Sequence, residues 1–457
     1  MGLQIYGQAS QRDEDNIVSG FRKRNSDSVT AKLALTPNRD HDIVLEGTTM
    51  RQKYENTLGK TVAPLAPGVA CGRNGCPASS ETDYRSNKWA LSHTGRWGWA
   101  VSDSYVQQEE FDNRSRQMKI KNLNLQTSWT LPLGSHMLTL GGTYLSQRLN
   151  DQTGNQLAGG PSKIDRYQWA LFAEDEWRLT DSFAVTAGLR MDDDENFGTH
   201  FSPRLYGVWQ MAERWTLKGG VSTGFRAPDL RQTVAGWGQV SRGGNMYGNP
   251  DLTPEKSVTE EIGILYDDGE GFNAGLTVFN NDFKDKITRV GCPASQCPEG
   301  PNQFGADPTT YMNVDKAVSR GVEANLKLPL GRDWSLTSSY TFTKSEQKSG
   351  QYQGQPLNQL PKHLFTTTLN WQASDALQAW ARVNYRGKES QPITSASSSS
   401  FIAPSYTFVD LGGSYAVNKT VSVYAGIYNL FDKQVTYDDY EFVEDGRRYW
   451  LGVGVKF

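Results

Sequence analysis

The chain of 457 residues has no long hydrophobic run, little cysteine, little histidine and almost no net charge. Each shortage excludes something. No apolar stretch reaches the ~18 residues a membrane-crossing helix needs, which rules out a helical membrane protein. A formal net charge of −3 leaves no basic stripe for nucleic acid. The five histidines are scattered, and neither a GxSxG nor an HExxH motif is present, so no enzyme is read here and no cofactor or metal is expected. A period near forty residues, which a β-propeller would repeat, is also missing. Mean hydropathy is low, at −0.60. A transmembrane β-barrel survives all of these exclusions, because only alternate residues of its strands face lipid.

What is present is alternation. From His200 to Pro228 the sequence reads HFSPRLYGVWQMAERWTLKGGVSTGFRAP. Leu205, Gly207, Trp209 and Met211 share one face, with Arg204, Tyr206, Val208 and Gln210 on the other. After the turn Ala212-Glu213-Arg214, the residues Trp215, Leu217, Gly219, Val221, Thr223 and Phe225 alternate with Lys218, Ser222 and Arg226. Period two means a strand between two environments, one apolar and one wet. Both arms exceed the usual ~5–6 residues of a strand and carry aromatics near their ends, as strands crossing a membrane do. The hairpin recurs along the whole chain, with short turns alternating with longer loops. The expectation is all-β: an antiparallel transmembrane barrel of about twenty strands, short periplasmic turns, long extracellular loops, and one barrel domain over 1–457. Asp175 interrupts an otherwise apolar face running from Tyr167 to Trp177.

Four cysteines form two pairs of identical spacing in loop-like sequence: Cys71 with Cys76 and Cys292 with Cys297. Two local disulfides in an oxidising compartment are expected; a tetrahedral zinc site built from both pairs is the alternative. The acidic run Asp192 to Glu195 lacks the glycine-centred spacing of a calcium loop and reads as a solvated loop. Met1-Gly2 leads straight into a strand, so either a leader has been removed or the chain is a piece of a longer protein.

The motifs then resemble a family. GFRAPDL (224–230), GNPDLTPEKSVTEEIGI (248–264), NLFDK (429–433) and the closing DGRRYWLGVGVKF are similar to signatures of the TonB-dependent outer-membrane receptors. WALFAEDEWRL and GLRMDDDENFGTHFSPRLYG resemble the catecholate siderophore receptors of the colicin I receptor type. The resemblance implies a bacterial outer-membrane barrel embedded in lipid, taking up ferric siderophores and coupled to the TonB complex in the family form that contains a plug. Bacteriocins could also use such a barrel as a docking surface. Against the family's 22 strands, this chain is expected to lack the plug and the first hairpin. That leaves a passive pore or a non-transporting remnant as the rival reading. It also leaves the seam between Leu3–Arg12 and Arg447–Phe457 expected to be poorly paired.

A tris-catecholate iron complex is a polyanion with aromatic edges, so arginine donors and tryptophan or tyrosine faces suit it. The candidates for siderophore binding are Arg226, Arg231, Trp237, Arg242 and Tyr247. For Arg226 the alternative is an ion pair with a lumen carboxylate; for Trp237 and Tyr247 it is packing within the loop. Glu174, Glu176 and Arg178 are expected on the lumen face near the periplasmic end.

Overall fold

The computed structural model of the chain describes all residues except 66, 68–75, 156, 158, 240, 242–243, 298–299, 303–305, 351–352, 358, 391–401, 441 and 457, and, for 314 and 315, the backbone alone. Its strands in order are β1 (Gly2–Arg12), β2 (Lys23–Leu35), β3 (His41–Asn56), β4 (Ser80–Arg96), β5 (Val101–Asn113), β6 (Met118–Leu133), β7 (His136–Asp151) and β8 (Lys163–Thr180). Next come β9 (Phe183–Asp194), β10 (Gly198–Ala212), β11 (Trp215–Arg226), β12 (Gly238–Gln239), β13 (Met246–Tyr247), β14 (Glu255–Asp267), β15 (Asn273–Gly291) and β16 (Thr309–Pro329). The last are β17 (Trp334–Gln347), β18 (His363–Gln372), β19 (Leu377–Arg386), β20 (Glu389–Ser390), β21 (Ile402–Ala403), β22 (Tyr406–Ala416), β23 (Val421–Tyr428) and β24 (Arg448–Val455). The one helix among the described residues, Tyr437–Tyr440, is a single turn.

Four of these 24 strands are two-residue pieces inside loops, so twenty cross the wall. β12 and β13 join the main sheet at its rim, and β20 pairs with β21 alone. Each long strand pairs antiparallel with its neighbours in sequence, and the hairpin at the centre of the sequence argument is β10–β11. Meandering antiparallel pairing satisfies backbone groups between adjacent strands, the only economical arrangement where no water can serve them.

Register follows the alternation. Leu205 faces Val221, Gly207 faces Gly219 and Trp209 faces Leu217, all outward. Outward side chains such as Leu171, Leu189, Leu205 and Ile262 are large, apolar and exposed, the inverse of a soluble core. Beside the short turns, outward aromatics stack into a girdle. Trp97 and Trp99 lie against Trp129 (both 5.8 Å), Trp334 against Trp371 (5.1 Å), and Trp215 against Tyr266 (4.8 Å). Asp175 belongs to this rim. It meets His136 at 2.7 Å, and His136 stacks on Trp177, so the carboxylate on the apolar face sits where that face meets water.

Two expectations need correcting. The loop-side connections at 114–117 and 195–197 are as short as the turns opposite. The strands run further than the alternation suggested, because polar strand extensions above the membrane carry no apolar signal. For the same reason the acidic run is not a solvated loop. Asp192 and Asp194 are buried within or at the end of β9. Asp192 accepts from Arg190 Nε (2.9 Å), and Asp194 lies 3.4 Å from Arg166 Nε and caps Asn196 N (3.0 Å).

At the seam, β1 pairs only with β2, and β24 only with β23, among the described residues. The edges are correspondingly bare: Leu3 is 67% exposed and Leu451 74%. One contact spans the seam at its extracellular end, where Arg12 Nη1 donates to Asp445 Oδ2 at 3.2 Å.

Candidate functional site at the extracellular mouth

The segment 227–254 leaves the end of β11 and folds inward against the wall built by β5 to β8. Alternation puts Met118, Ile120 and Leu149 on the inner face, and Trp237 inserts among them, 1% exposed. Leu230, Val234, Phe111 and Ile164 complete this apolar plug of the loop. Beside it lies Asp151, fully buried at 0% exposure. It accepts from Arg116 (3.0 Å), Arg231 (3.2 Å) and the amide of Gly154 (2.7 Å). A Cβ at position 154 would lie 2.0 Å from the Asp151 carboxylate, so any larger residue there would have to displace this ion pair. Arg231 also stacks over the Trp237 ring at 5.5 Å. Burial lowers the Arg231 pKa from its ordinary value, while Asp151 opposes that shift. The guanidinium stays charged, and a charge so placed is tolerable only with this partner.

Trp237, Arg231 and Tyr247 therefore meet within one loop architecture. Tyr247 is buried in β13, its carbonyl accepting from Thr310 Oγ1 at 3.1 Å. Trp237 and Tyr247 present almost no face to the mouth; their contacts hold the loop. Arg226 is different. It is 67% exposed on the inner register, 3.5 Å from Glu255 and 3.6 Å from Asp229. Arg242 lies outside the described residues. Arg166, not singled out from the sequence, clamps the start of the loop by donating to the Pro228 carbonyl at 2.6 Å.

A second inner wall went unnoticed in the sequence. Arg382 donates to Asp410 (2.9 Å) and stacks over Trp380 (5.2 Å), and Arg448 stacks over Tyr428 (5.4 Å). Arg382, Asp410, Tyr428 and Arg448, with Arg386, Tyr406 and Glu444, line one concavity; Trp380 lies toward the turn side, in a cavity shared with Arg332 and Asp333. Inward alternation of Trp380, Arg382, Asn384 and Arg386 was the available signal. On the wall of β8 to β10, Glu174 accepts from Arg204 at 3.2 Å, a charge pair spanning β9.

Of the cysteines, Cys292 and Cys297 are joined by a disulfide. Cys76 is disulfide-bonded as well; Cys71, its expected partner, lies outside the described residues.

Comparison with known proteins gives this geometry a family. The chain is 50% identical over 458 residues to the iron-regulated outer membrane virulence protein of Vibrio cholerae serotype O1, covering 100% of this chain and 69% of that protein. It is 31% identical over 408 residues to the ferric enterobactin receptor of Pseudomonas aeruginosa, covering 77% of this chain and 54% of that one. In fold it is similar to a crystal structure of the Pseudomonas aeruginosa ferric enterobactin receptor, with a TM-score of 0.82 at 24% identity, covering 100% of this chain and 75% of that one. It is likewise similar to the siderophore receptor PirA of Acinetobacter baumannii, with a TM-score of 0.83 at 22% identity, covering 100% and 75%. Residues 6–430 match the TonB dependent receptor-like β-barrel model, and the chain belongs to that family of outer-membrane receptor barrels.

Proposed function

We propose that this barrel binds ferric catecholate siderophores at its extracellular mouth, as a receptor of the colicin I receptor type whose uptake is energised through TonB. The supporting observation is chemical. Inward-facing arginines sit on or beside aromatic rings along the lumen wall, Arg382 on Trp380 and Arg448 on Tyr428, and Arg226 stands exposed at the extracellular end of β11. A ferric tris-catecholate offers negative oxygens to the guanidinium groups and ring edges to the aromatic faces. The relationship to ferric enterobactin receptors points to the same ligand class.

Within this reading the five sequence candidates divide by role. Arg226 contacts the ligand, whereas Arg231, Trp237 and Tyr247 shape the mouth by fixing the loop. Arg242 is an additional cation on the same loop. TonB coupling and bacteriocin docking are further parts of the proposal.

The test is quenching of intrinsic tryptophan fluorescence by a ferric tris-catecholate titrated into the purified 457-residue protein. Saturable binding is expected, and Arg226→Ala should weaken it about tenfold or more, the loss of one charge-assisted hydrogen bond of ~1.5–3 kcal/mol. Arg204→Ala, deep in the lumen, should bind as the parent does. No saturable binding, or equal affinity for Arg226→Ala, would sink the proposal and favour a passive pore.

A further inference from the structure

Along β15 the alternation is regular as far as Lys284: Val278, Asn280, Asp282 and Lys284 lie on the outer face, Phe279, Asn281 and Phe283 on the inner one. Period two would put Lys286 outside, beside Lys284. It is not there. Its Nζ lies 5.5 Å over the ring of Phe283 and 3.7 Å from Glu255 Oε1, both on the inner face. The cause is Asp285, whose φ of 56° is left-handed inside a strand. Register with β16 runs unshifted past this point, Lys284 pairing with Lys316 and Lys286 with Val314. Pairing with β14 stops at Lys256 and Lys284, and the Ile287 amide donates instead to Glu255 Oε1 at 2.8 Å. The reversal is therefore a local twist of the backbone and not an inserted residue.

A left-handed residue other than glycine is strained, although aspartate tolerates it better than most. Such strain persists where surrounding contacts over-determine it, and it gathers at sites of function. Here Asn313 supplies the hold. Its Nδ2 donates to the carbonyls of Asp285 and Thr253 (2.8 Å to the latter), and its Oδ1 accepts from the Thr253 amide at 2.9 Å. The twist brings Lys286 beside Arg226, with Glu255 between them at 3.7 and 3.5 Å. Other cations of the mouth donate to fixed partners. Arg116 and Arg231 bond Asp151, Arg166 bonds the Pro228 carbonyl, and Arg289 bonds Thr309 and the Gly244 carbonyl. Arg226 and Lys286 donate no hydrogen bond among the described residues; Glu255 and Asp229 offset their charge from 3.5 Å or more. A guanidinium and an ammonium with open donors, next to an aromatic ring, suit a polyanion whose oxygens edge aromatic rings. We infer that Lys286 is a second ligand-contacting cation of the mouth and that Asp285, through its strained backbone, is the positioning residue that aims it. The inference rests on the ferric catecholate reading above and places one catecholate arm between Arg226 and Lys286.

The experiment uses the purified 457-residue protein and a ferric tris-catecholate, with affinity read by tryptophan quenching. Lys286→Gln should weaken binding about tenfold, the loss of one charge-assisted hydrogen bond. Lys284→Gln, on the opposite face of the same strand, should bind as the parent does. Asp285→Gly, which takes the same φ without strain, should keep the parental affinity, whereas Asp285→Val, whose branched Cβ resists that φ, should fall to the level of Lys286→Gln. Acetylation of lysines by an N-hydroxysuccinimide ester, read by mass spectrometry, gives a second measure in the parent itself. Saturating ligand should protect Lys286 and leave Lys284 as reactive as before. No saturable binding by the parent would sink the catecholate reading and this contact with it. A parent that binds while Lys286 stays unprotected, or while Lys286→Gln keeps full affinity, would overturn this inference alone. Parental affinity in Asp285→Val would overturn the role of Asp285.

Discussion

Trp237 and Arg226 show how two residues of one loop segment take different work from their surroundings. Trp237 is enclosed by Met118, Leu149 and Leu230, so its indole stabilises the loop through burial. Removing a buried aromatic of this size costs ~3–5 kcal/mol. Trp237→Ala should therefore raise protease nicking within 227–254 by a hundredfold or more, with barrel melting unchanged. Loop nicking at the parental rate would show that Trp237 is not the anchor. Asp151 acts on the same loop through charge: it is the shared acceptor for Arg116 and Arg231, and both would be stranded without it.

At the scale of elements, the extracellular loops are tied to one another as well as to the wall. Glu14, in the loop after β1, accepts from the Thr57 amide at 2.5 Å and from the Thr61 hydroxyl, both in the loop after β3. Burial would raise its pKa, but these hydrogen bonds outweigh that and bring it down to about 2, from 4.5. A depressed carboxylate pKa stabilises the clamp fully above the unfolded value and loses that stability as pH falls through the folded one. Protection of the Thr57 amide from hydrogen exchange, corrected for intrinsic rates, should hold above pH ~4.5 and decline toward pH ~2. Glu14→Gln should flatten this decline. Asp445 follows the same sign: burial pushes its pKa up, yet the hydrogen bond and charge of Arg12 leave it lowered. The seam contact should therefore weaken in acid too.

For the whole molecule, the open edges of β1 and β24 decide the order of unfolding. Neither edge has a second partner strand among the described residues, and an unpaired backbone group in lipid costs several kcal/mol. Hydrogen exchange in detergent should spread inward from β1 and β24, leaving β10 and β11, farthest from both edges, protected longest. If β1 amides exchange as slowly as those of β10, the edges are paired in solution. Arg12→Ala should accelerate exchange at the extracellular end of β1 in particular, because it removes the one side-chain ion pair across the seam among the described residues.

Period-two alternation was enough to determine the number of wall strands and the facing of residues within the apolar belt. Lipid and water impose opposite demands on successive side chains, and that demand is written locally. Trp209, Leu205 and Val221 could be assigned outward, and Arg226 inward, from spacing alone. The acidic run at Asp192 and Asp194 could not be read this way. Its environment depends on Arg190 and on Arg166 of the neighbouring strand, and the alternation continues above the membrane without an apolar face to mark it. Nor could the sequence separate Arg226 from Trp237 in the mouth. Whether a loop side chain meets solvent or a wall depends on how residues 227–254 fold against β5 to β8, strands well before them in the chain. Lys256, Lys284, Arg320 and Lys344 were visible one by one in the sequence, but only cross-strand register set Lys256 against Lys284 and Arg320 against Lys344. Side-chain direction is a property of the local backbone, whereas partnership depends on strands brought together by the sweep of the sheet.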